Sequence, residues 1–248
     1  MTFKEKLEQN KPLIGTIQAL PSPEITEILA NTGLDWLWID MEHSAIDVPT
    51  MQHMLMAAGG KCPCIVRPPS HEKGHIKKIL DAGADGILIP LVNSPEKAKE
   101  MVNLCKYPPD GNRSIGIARA HGYGMRFQEY VETANENITV IIQVEHIEAV
   151  KNIDEIVKVP GLDAILIGPY DLSGSMGKTG KVNDPEVQKQ IEIARKTAQN
   201  ANLHVGIFTA GPGNVNGLVE KGFSFIAVGM DSMALGNAMK EIMEKSKN

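Results

Sequence analysis

The stretch Trp36-Leu37-Trp38-Ile39-Asp40-Met41-Glu42-His43 runs a short apolar segment into two carboxylates and an imidazole. A strand buried on both faces reads as a continuous apolar run, and parallel barrels carry their chemistry at the C-terminal ends of their strands. The stretch is therefore predicted to be a barrel strand that delivers Asp40, Glu42 and His43 to a site.

Working outward, short apolar runs recur at Leu13 to Ala19, Cys64 to Val66, Gly86 to Ile89, Val140 to Val144, Ala164 to Ile167, His204 to Phe208 and Phe225 to Val228, each followed by a segment of helical character. Two of the intervening helices announce their starts. Ser94-Pro95-Glu96 and Asp184-Pro185-Glu186 each place a capping side chain, a proline and an acidic residue in helix-opening order. Strand and helix alternating eight times predicts an α/β fold with a parallel sheet. At 248 residues the closed (β/α)8 TIM barrel, one domain over residues 1–248, is favoured over an open doubly wound sheet. The sequence contains neither the G-x-G-x-x-G fingerprint nor the Walker A pattern. The long connection from Lys106 to Asn137 is expected to be a functional insertion above the barrel. Met233 to Lys245 reads as an amphipathic C-terminal helix.

The formal net charge is -5, and no cluster of Lys or Arg is dense enough to track a nucleic acid or a membrane surface. Cys62, Cys64 and Cys105 are too few for a disulfide framework. The N-terminus lacks the apolar core of a signal peptide, and no run approaches the ~18 apolar residues of a membrane span. A cytoplasmic enzyme acting on a small molecule is the expectation.

If the strands are placed correctly, their ends converge on one mouth: Asp40, Glu42 and His43, then Arg67, then Gln143 and Glu145, then Gly168-Pro169-Tyr170-Asp171. Glu145 and Asp171 are hard oxygen donors of the kind an octahedral divalent ion takes. Each residue also has a purely structural reading. Glu145 would form an ion pair, Asp171 would cap a helical turn, His43 would line a wall, and Arg67 would partner Asp40. Chemistry through a Schiff base needs a lysine at a strand end inside the barrel, whereas Lys61 and Lys73 fall in connections. Gly206, Gly211, Gly213 and Gly229 are read as packing and turn residues in preference to a phosphate cradle.

The order of Trp36-x-x-Ile39-Asp40-x-Glu42-His43, Val66-Arg67-Pro68, Leu80-Asp81-Ala82-Gly83-Ala84-Asp85-Gly86, Tyr107-Pro108-Pro109-x-Gly111-x-Arg113, Gln143-Val144-Glu145 and Ile167-Gly168-Pro169-Tyr170-Asp171-Leu172-Ser173 resembles the HpcH/HpaI aldolase/citrate lyase family, over about Gly15 to Asp231. The resemblance implies a metal-dependent (class II) pyruvate aldolase of the 4-hydroxy-2-oxoheptanedioate or 2-keto-3-deoxy sugar acid type. It also implies a C-terminal helix exchanged between subunits and a homohexamer built as a trimer of dimers. By the same resemblance Glu145 and Asp171 are metal ligands for Mg, Mn or Co, and His43 is the catalytic imidazole. Arg67 contacts the pyruvate oxygen, Gln143 neighbours the metal, and backbone N–H groups over Gly168, Pro169, Tyr170 and Asp171 meet the pyruvate carboxylate.

Asp81 matches the family's partner for the imidazole. Its place, where a helix hands over to strand four, lies at the opposite face of its own barrel, so it is expected either to serve a neighbouring subunit or to be a structural helix-end residue. The chain departs from the family pattern at Tyr170, where many members carry a small residue, and at Arg119-Ala120-His121-Gly122-Tyr123. Both departures bear on the acceptor aldehyde, whose pocket is expected to include the His121 to Phe127 loop, with Arg119 or Arg126 recognising an acidic aldehyde.

The implied chemistry is reversible cleavage of a 4-hydroxy-2-oxo acid to pyruvate and an aldehyde, through a pyruvate enolate held on the ion. Oxaloacetate decarboxylation, acyl-coenzyme A cleavage and a non-catalytic keto-acid-binding barrel are the alternatives. Neither the aldehyde nor the physiological metal is specified by the sequence.

Overall fold

A computed structural model describes residues 1–247. In chain order the elements are α1 (Phe3–Glu8), β1 (Leu13–Gln18), α2 (Pro23–Ala30), β2 (Trp36–Asp40), α3 (Val48–Ala58), β3 (Cys64–Arg67), α4 (Lys73–Asp81), β4 (Gly86–Ile89) and α5 (Pro95–Cys105). Then follow α6 (Phe127–Asn137), β5 (Thr139–Val144), α7 (Ile147–Lys151), α8 (Ile153–Ile156), β6 (Ala164–Ile167), α9 (Pro169–Ser175), α10 (Pro185–Asn200), β7 (His204–Thr209), α11 (Val215–Glu220), β8 (Phe225–Met230) and α12 (Asp231–Ser246). The eight strands are hydrogen-bonded in sequence order and close into a parallel barrel, a TIM barrel. All eight expected strands are present, two with the expected boundaries and six with a boundary moved by one or two residues. The two expected caps form: the Ser94 hydroxyl accepts from the Lys97 amide at 3.2 Å, and the Asp184 carboxylate from the Glu186 amide at 2.9 Å.

Strand alternation divides the core in two. Leu37, Ile39, Val66, Val140, Ile142 and Val144 face the helical shell, while Trp36, Trp38, Ile65, Leu88, Ile141, Leu166 and Phe225 fill the barrel. Below, α1 plugs the barrel with Phe3, whose ring lies 5.5 Å from that of Trp36 and 5.6 Å from that of Phe225. Gly206 gives up its side chain to the Phe225 ring, so its role is packing.

Two parts of the chain leave the regular pattern. Residues 106–138 follow α5 and precede β5, and therefore lie at the N-terminal end of the barrel, where the Arg119 guanidinium donates to the Ala82 carbonyl at 2.7 Å. The expected insertion above the mouth is thus an insertion below it, holding a short 3-10 segment (Arg119–Gly124) and α6. At the other extreme, residues 232–247 are all exposed, including Met233, Leu235, Met239, Ile242 and Met243 on α12. The helix is tethered by Asp231, whose carboxylate accepts from the Ala19 and Leu20 amides at 3.1 and 3.0 Å. Among the described residues no helix is long and apolar enough to cross a membrane, and all three cysteines are buried and free.

Candidate active site

The period of two that buries Trp36 and Trp38 also turns Asp40 inward, one layer nearer the mouth. On β3 the same alternation turns Arg67 inward, and the two residues are register partners. Their pairing is bidentate: Arg67 Nε donates to Asp40 Oδ1 at 2.8 Å and Nη2 to Oδ2 at 2.7 Å. The guanidinium lies 4.7 Å over the Trp38 ring, Nη1 donates to Gln143 Oε1 at 3.3 Å, and Glu42 Oε2 is 3.1 Å from Nη1. A guanidinium has five N–H donors, so at least one on Nη2 remains for a ligand. Asp40 has no such reserve. It is buried, both oxygens are committed to Arg67, and Oδ1 also accepts from the Glu42 amide at 3.0 Å. Its reading as a catalytic group is corrected to that of Arg67's anchor.

On β5 the inward positions past Ile141 are Gln143 and Glu145. Glu145 accepts from Gln143 Nε2 and, at 2.7 Å, from the Leu91 amide. Leu91 holds φ at 50°, a left-handed conformation uncommon outside glycine, and so spends backbone strain to aim that amide. No pattern in the sequence marked Leu91. Glu145 forms no ion pair among the described residues, so the ion pair of its structural reading is not made within the chain, where the Leu91 amide and Gln143 are its partners. Burial pushes its carboxyl up to about 8; Asp171 and Glu42 push the same way, against the Leu91 amide and Arg67. Burial also raises Glu42, with Arg67 opposing.

Gly168 follows β6. A Cβ there would stand 2.8 Å from that of Glu145 and 3.0 Å from Gln143 Nε2, so only glycine lets β6 pass beside these groups. The Gly168 amide bonds the Val144 carbonyl at 3.1 Å and Pro169 has none, which narrows the expected row of carboxylate-binding amides to Tyr170 and Asp171. Gly168, not Asp171, occupies the cap position of α9, so the capping role of Asp171 also falls away. His43 sits on the bend after β2, two-thirds exposed, with Nε2 3.7 Å from Glu42.

A cleft of about 140 Å³ is lined by Ile17, Trp38, His43, Arg67, Gln143, Gly168, Pro169, Tyr170, Asp171 and Phe208. Seven of the residues singled out in the sequence meet there, with Glu145 immediately behind Gly168. Trp38, Ile17 and Phe208 are additions: as apolar strand residues they read as core, and nothing in the pattern marks them as cleft walls. Asp81 is not among the lining residues. It ends α4 below the barrel, separated from His43 by at least a strand, about 13 Å for four residues. The His121 to Phe127 loop shares that lower location and buries His121 completely, so it cannot wall an acceptor pocket in its own chain, and Arg119 is bound to the Ala82 carbonyl there.

The donor set suits a small hard cation. Glu145, Asp171 and Glu42 are mutually repelling carboxyls with one arginine among them. No three His, Cys, Asp or Glu side chains among the described residues form a ready-made cage. Two carboxylates, with remaining positions left to water and substrate oxygens, is a common arrangement for Mg²⁺-type ions.

A closed parallel barrel with buried carboxylates, a half-committed arginine and an exposed imidazole at its mouth defines a barrel enzyme with its site at the C-terminal face. Comparison with known proteins makes this specific. The chain is 37% identical over 249 residues to the hydroxypyruvate/pyruvate aldolase of Roseobacter denitrificans (strain ATCC 33942 / OCh 114), covering 99% of this chain and 97% of the relative. It is 35% identical to the 2-keto-3-deoxy-L-rhamnonate aldolase of Escherichia coli (strain K12), covering 99% and 93%. A crystal structure of a HpcH/Hpal aldolase/citrate lyase family protein from Burkholderia cenocepacia J2315 superimposes with a TM-score of 0.95 at 33% identity, covering 99% and 98%. The family model described as HpcH/HpaI aldolase/citrate lyase matches residues 16–238, and the chain belongs to that family. It is a carbon–carbon lyase of the aldolase type.

Proposed function

We propose that this chain, acting as one domain in a cytoplasmic homo-oligomer, cleaves a 4-hydroxy-2-oxo acid reversibly to pyruvate and an aldehyde. The supporting observation is the cleft that gathers His43, Arg67, Gln143 and Asp171 over Glu145. Glu145 and Asp171 would hold Mg, Mn or Co, and such an ion, when bound, supplies Lewis-acid stabilisation of the enolate charge.

The remaining work falls to the protein's own groups. The free Nη2–H of Arg67 meets the 2-oxo oxygen, where charge develops, and Asp40 and Trp38 keep the guanidinium from turning away. The Tyr170 and Asp171 amides receive the carboxylate. His43 takes the proton of the 4-hydroxyl; the C3–C4 bond breaks, its electron pair passes to the enolate, and C4 leaves as the aldehyde carbonyl. Protonation at C3 then gives pyruvate. Trp38, Ile17 and Phe208 exclude water from the enolate.

Asp81 belongs to this site through oligomerisation. It stands at the wrong end of its own barrel to reach His43, and the surface beside it exposes Ile115, Ile117 and Met125. We read that surface as a seat for another copy, so that Asp81 supports a neighbouring subunit's His43. The unpartnered α12 supports helix exchange within a dimer, and a hexamer formed as a trimer of such dimers accommodates both contacts.

The test is pyruvate release from a panel of 4-hydroxy-2-oxo acids by metal-free protein, with and without Mg, Mn or Co, beside oxaloacetate. Metal-dependent cleavage is expected, and the best substrate identifies the aldehyde. Oxaloacetate decarboxylation without cleavage would overturn the proposal, as would activity confined to acyl-coenzyme A substrates or binding without turnover.

A further inference from the structure

The Tyr107-Pro108-Pro109-Asp110-Gly111-Asn112-Arg113 motif has no place in the mechanism above, yet the fold invests heavily in it. Asn135 clamps the Tyr107 backbone from both sides, accepting from its amide at 2.7 Å and donating to its carbonyl at 2.9 Å. Gly111 passes so close to the end of α5 that a Cβ would stand 2.6 Å from the Asn103 carbonyl oxygen. The Arg113 amide then returns to the Lys106 carbonyl at 2.9 Å. The motif folds the chain back so that the Arg113 side chain enters the protein with no exposure at all.

The guanidinium so placed lies 4.5 Å over the Tyr107 ring and 5.7 Å from the Tyr130 ring. Nη1 donates to the Tyr130 hydroxyl at 3.3 Å and Nη2 to Asp81 Oδ1 at 2.7 Å. Asp81 is its only carboxylate partner among the described residues, and the contact is single. Asp81 Oδ2 has no partner among them, and the carboxylate retains 18% exposure. Neutralisation alone favours the bidentate fork seen between Arg67 and Asp40. Asp81 also ends α4, where the helix dipole disfavours a negative charge.

We propose that Arg113 is a positioning residue: it grips Asp81 by Oδ1 and thereby presents Oδ2, in a fixed direction, to the imidazole of a neighbouring copy. The aromatic walls from Tyr107 and Tyr130 hold the guanidinium itself. This rests on the reading of Asp81 as the carboxylate that serves His43 across subunits. The alternative inverts the dependency, with Asp81 present only to neutralise a buried arginine.

A two-by-two set of full-length variants separates the two: wild type, Arg113→Met, Asp81→Asn and the double variant, each assayed for pyruvate release from the preferred substrate at saturating metal. Arg113→Met is expected to lower kcat about 10- to 100-fold with KM unchanged, because Asp81 remains but is no longer aimed. In the Asp81→Asn background the same change is expected to alter kcat less than about twofold. Arg113→Lys should recover part of the loss. Tyr130→Phe, which removes one hydroxyl and keeps the ring, should cost about two- to fivefold should the arginine variants fold poorly. Full kcat in Arg113→Met, or an equal loss with and without Asp81, overturns the positioning role and leaves Asp81's role standing. Full kcat in Asp81→Asn removes the reading beneath it. Recovery of activity in the double variant would show that Asp81 serves only as a counter-charge.

Discussion

Two buried arginines, each paired with a carboxylate, sit at opposite ends of this barrel. Each guanidinium lies over an aromatic ring, Arg67 at 4.7 Å from Trp38 and Arg113 at 4.5 Å from Tyr107. Burial of the guanidinium does not distinguish them; what each pair leaves uncommitted does. At the mouth Asp40 is consumed and Arg67 keeps a donor, so it is the arginine that lines the cleft. At the lower end Arg113 is enclosed and Asp81 keeps an oxygen, so the carboxylate faces outward. In the function proposed above, the same pair of residue types would supply a substrate contact at one end and a carboxylate for a neighbouring copy at the other.

The largest expected effect tests the mouth. Glu145→Gln should lower metal-dependent pyruvate release by about 10³-fold or more and weaken Mn²⁺ binding measured by calorimetry; unchanged binding would remove the metal from this end. Next, the two pairs should differ in stability. Asp40→Asn strands a buried guanidinium that had two bonds to its carboxylate, and should cost about 3–5 kcal/mol in urea unfolding. Asp81→Asn should cost less, because that contact is single and partly exposed, and the reverse order would mean that the lower pair carries the greater share of stability. Gly168→Ala should lower kcat about tenfold by displacing Glu145, while the same change at the open Gly74 leaves kcat intact.

The smallest effect lies in the lower cluster. Burial pushes the His121 imidazole below its ordinary range, so the unfolded chain takes up a proton that the folded one resists. Stability should therefore fall as pH drops through about 6.5. In thermal unfolding between pH 8 and 5.5, His121→Phe should flatten part of that slope. His204, pushed down likewise by burial, keeps the rest. An unchanged slope would mean that His121 is not held neutral.

The mouth was legible because strand alternation is a sequence property. Once Trp36 and Trp38 point inward, Asp40 must follow, and Arg67, Gln143 and Glu145 obey the same rule on β3 and β5. Leu91 escaped because its contribution is a backbone amide in a left-handed turn, which a leucine does not advertise. The 106–138 segment was legible as an insertion but not by its side of the barrel. Its length suggested function, and function suggested the mouth, whereas a segment joining the end of α5 to the start of β5 can only emerge below. Arg113 was visible as part of a motif, but its partner Asp81 lies on a different helix, and no spacing rule joins them.

Completion of the site between subunits, as proposed, is open to a direct test by mixing impaired variants. His43→Ala and Asp81→Asn proteins, each strongly impaired, would be denatured together, refolded and assayed for metal-dependent pyruvate release. If Asp81 of one copy serves the His43 of another, random assembly restores about a quarter of the sites. If both residues act within one chain, every site in the mixture lacks one of them, and the refolded mixture remains as impaired as either variant alone.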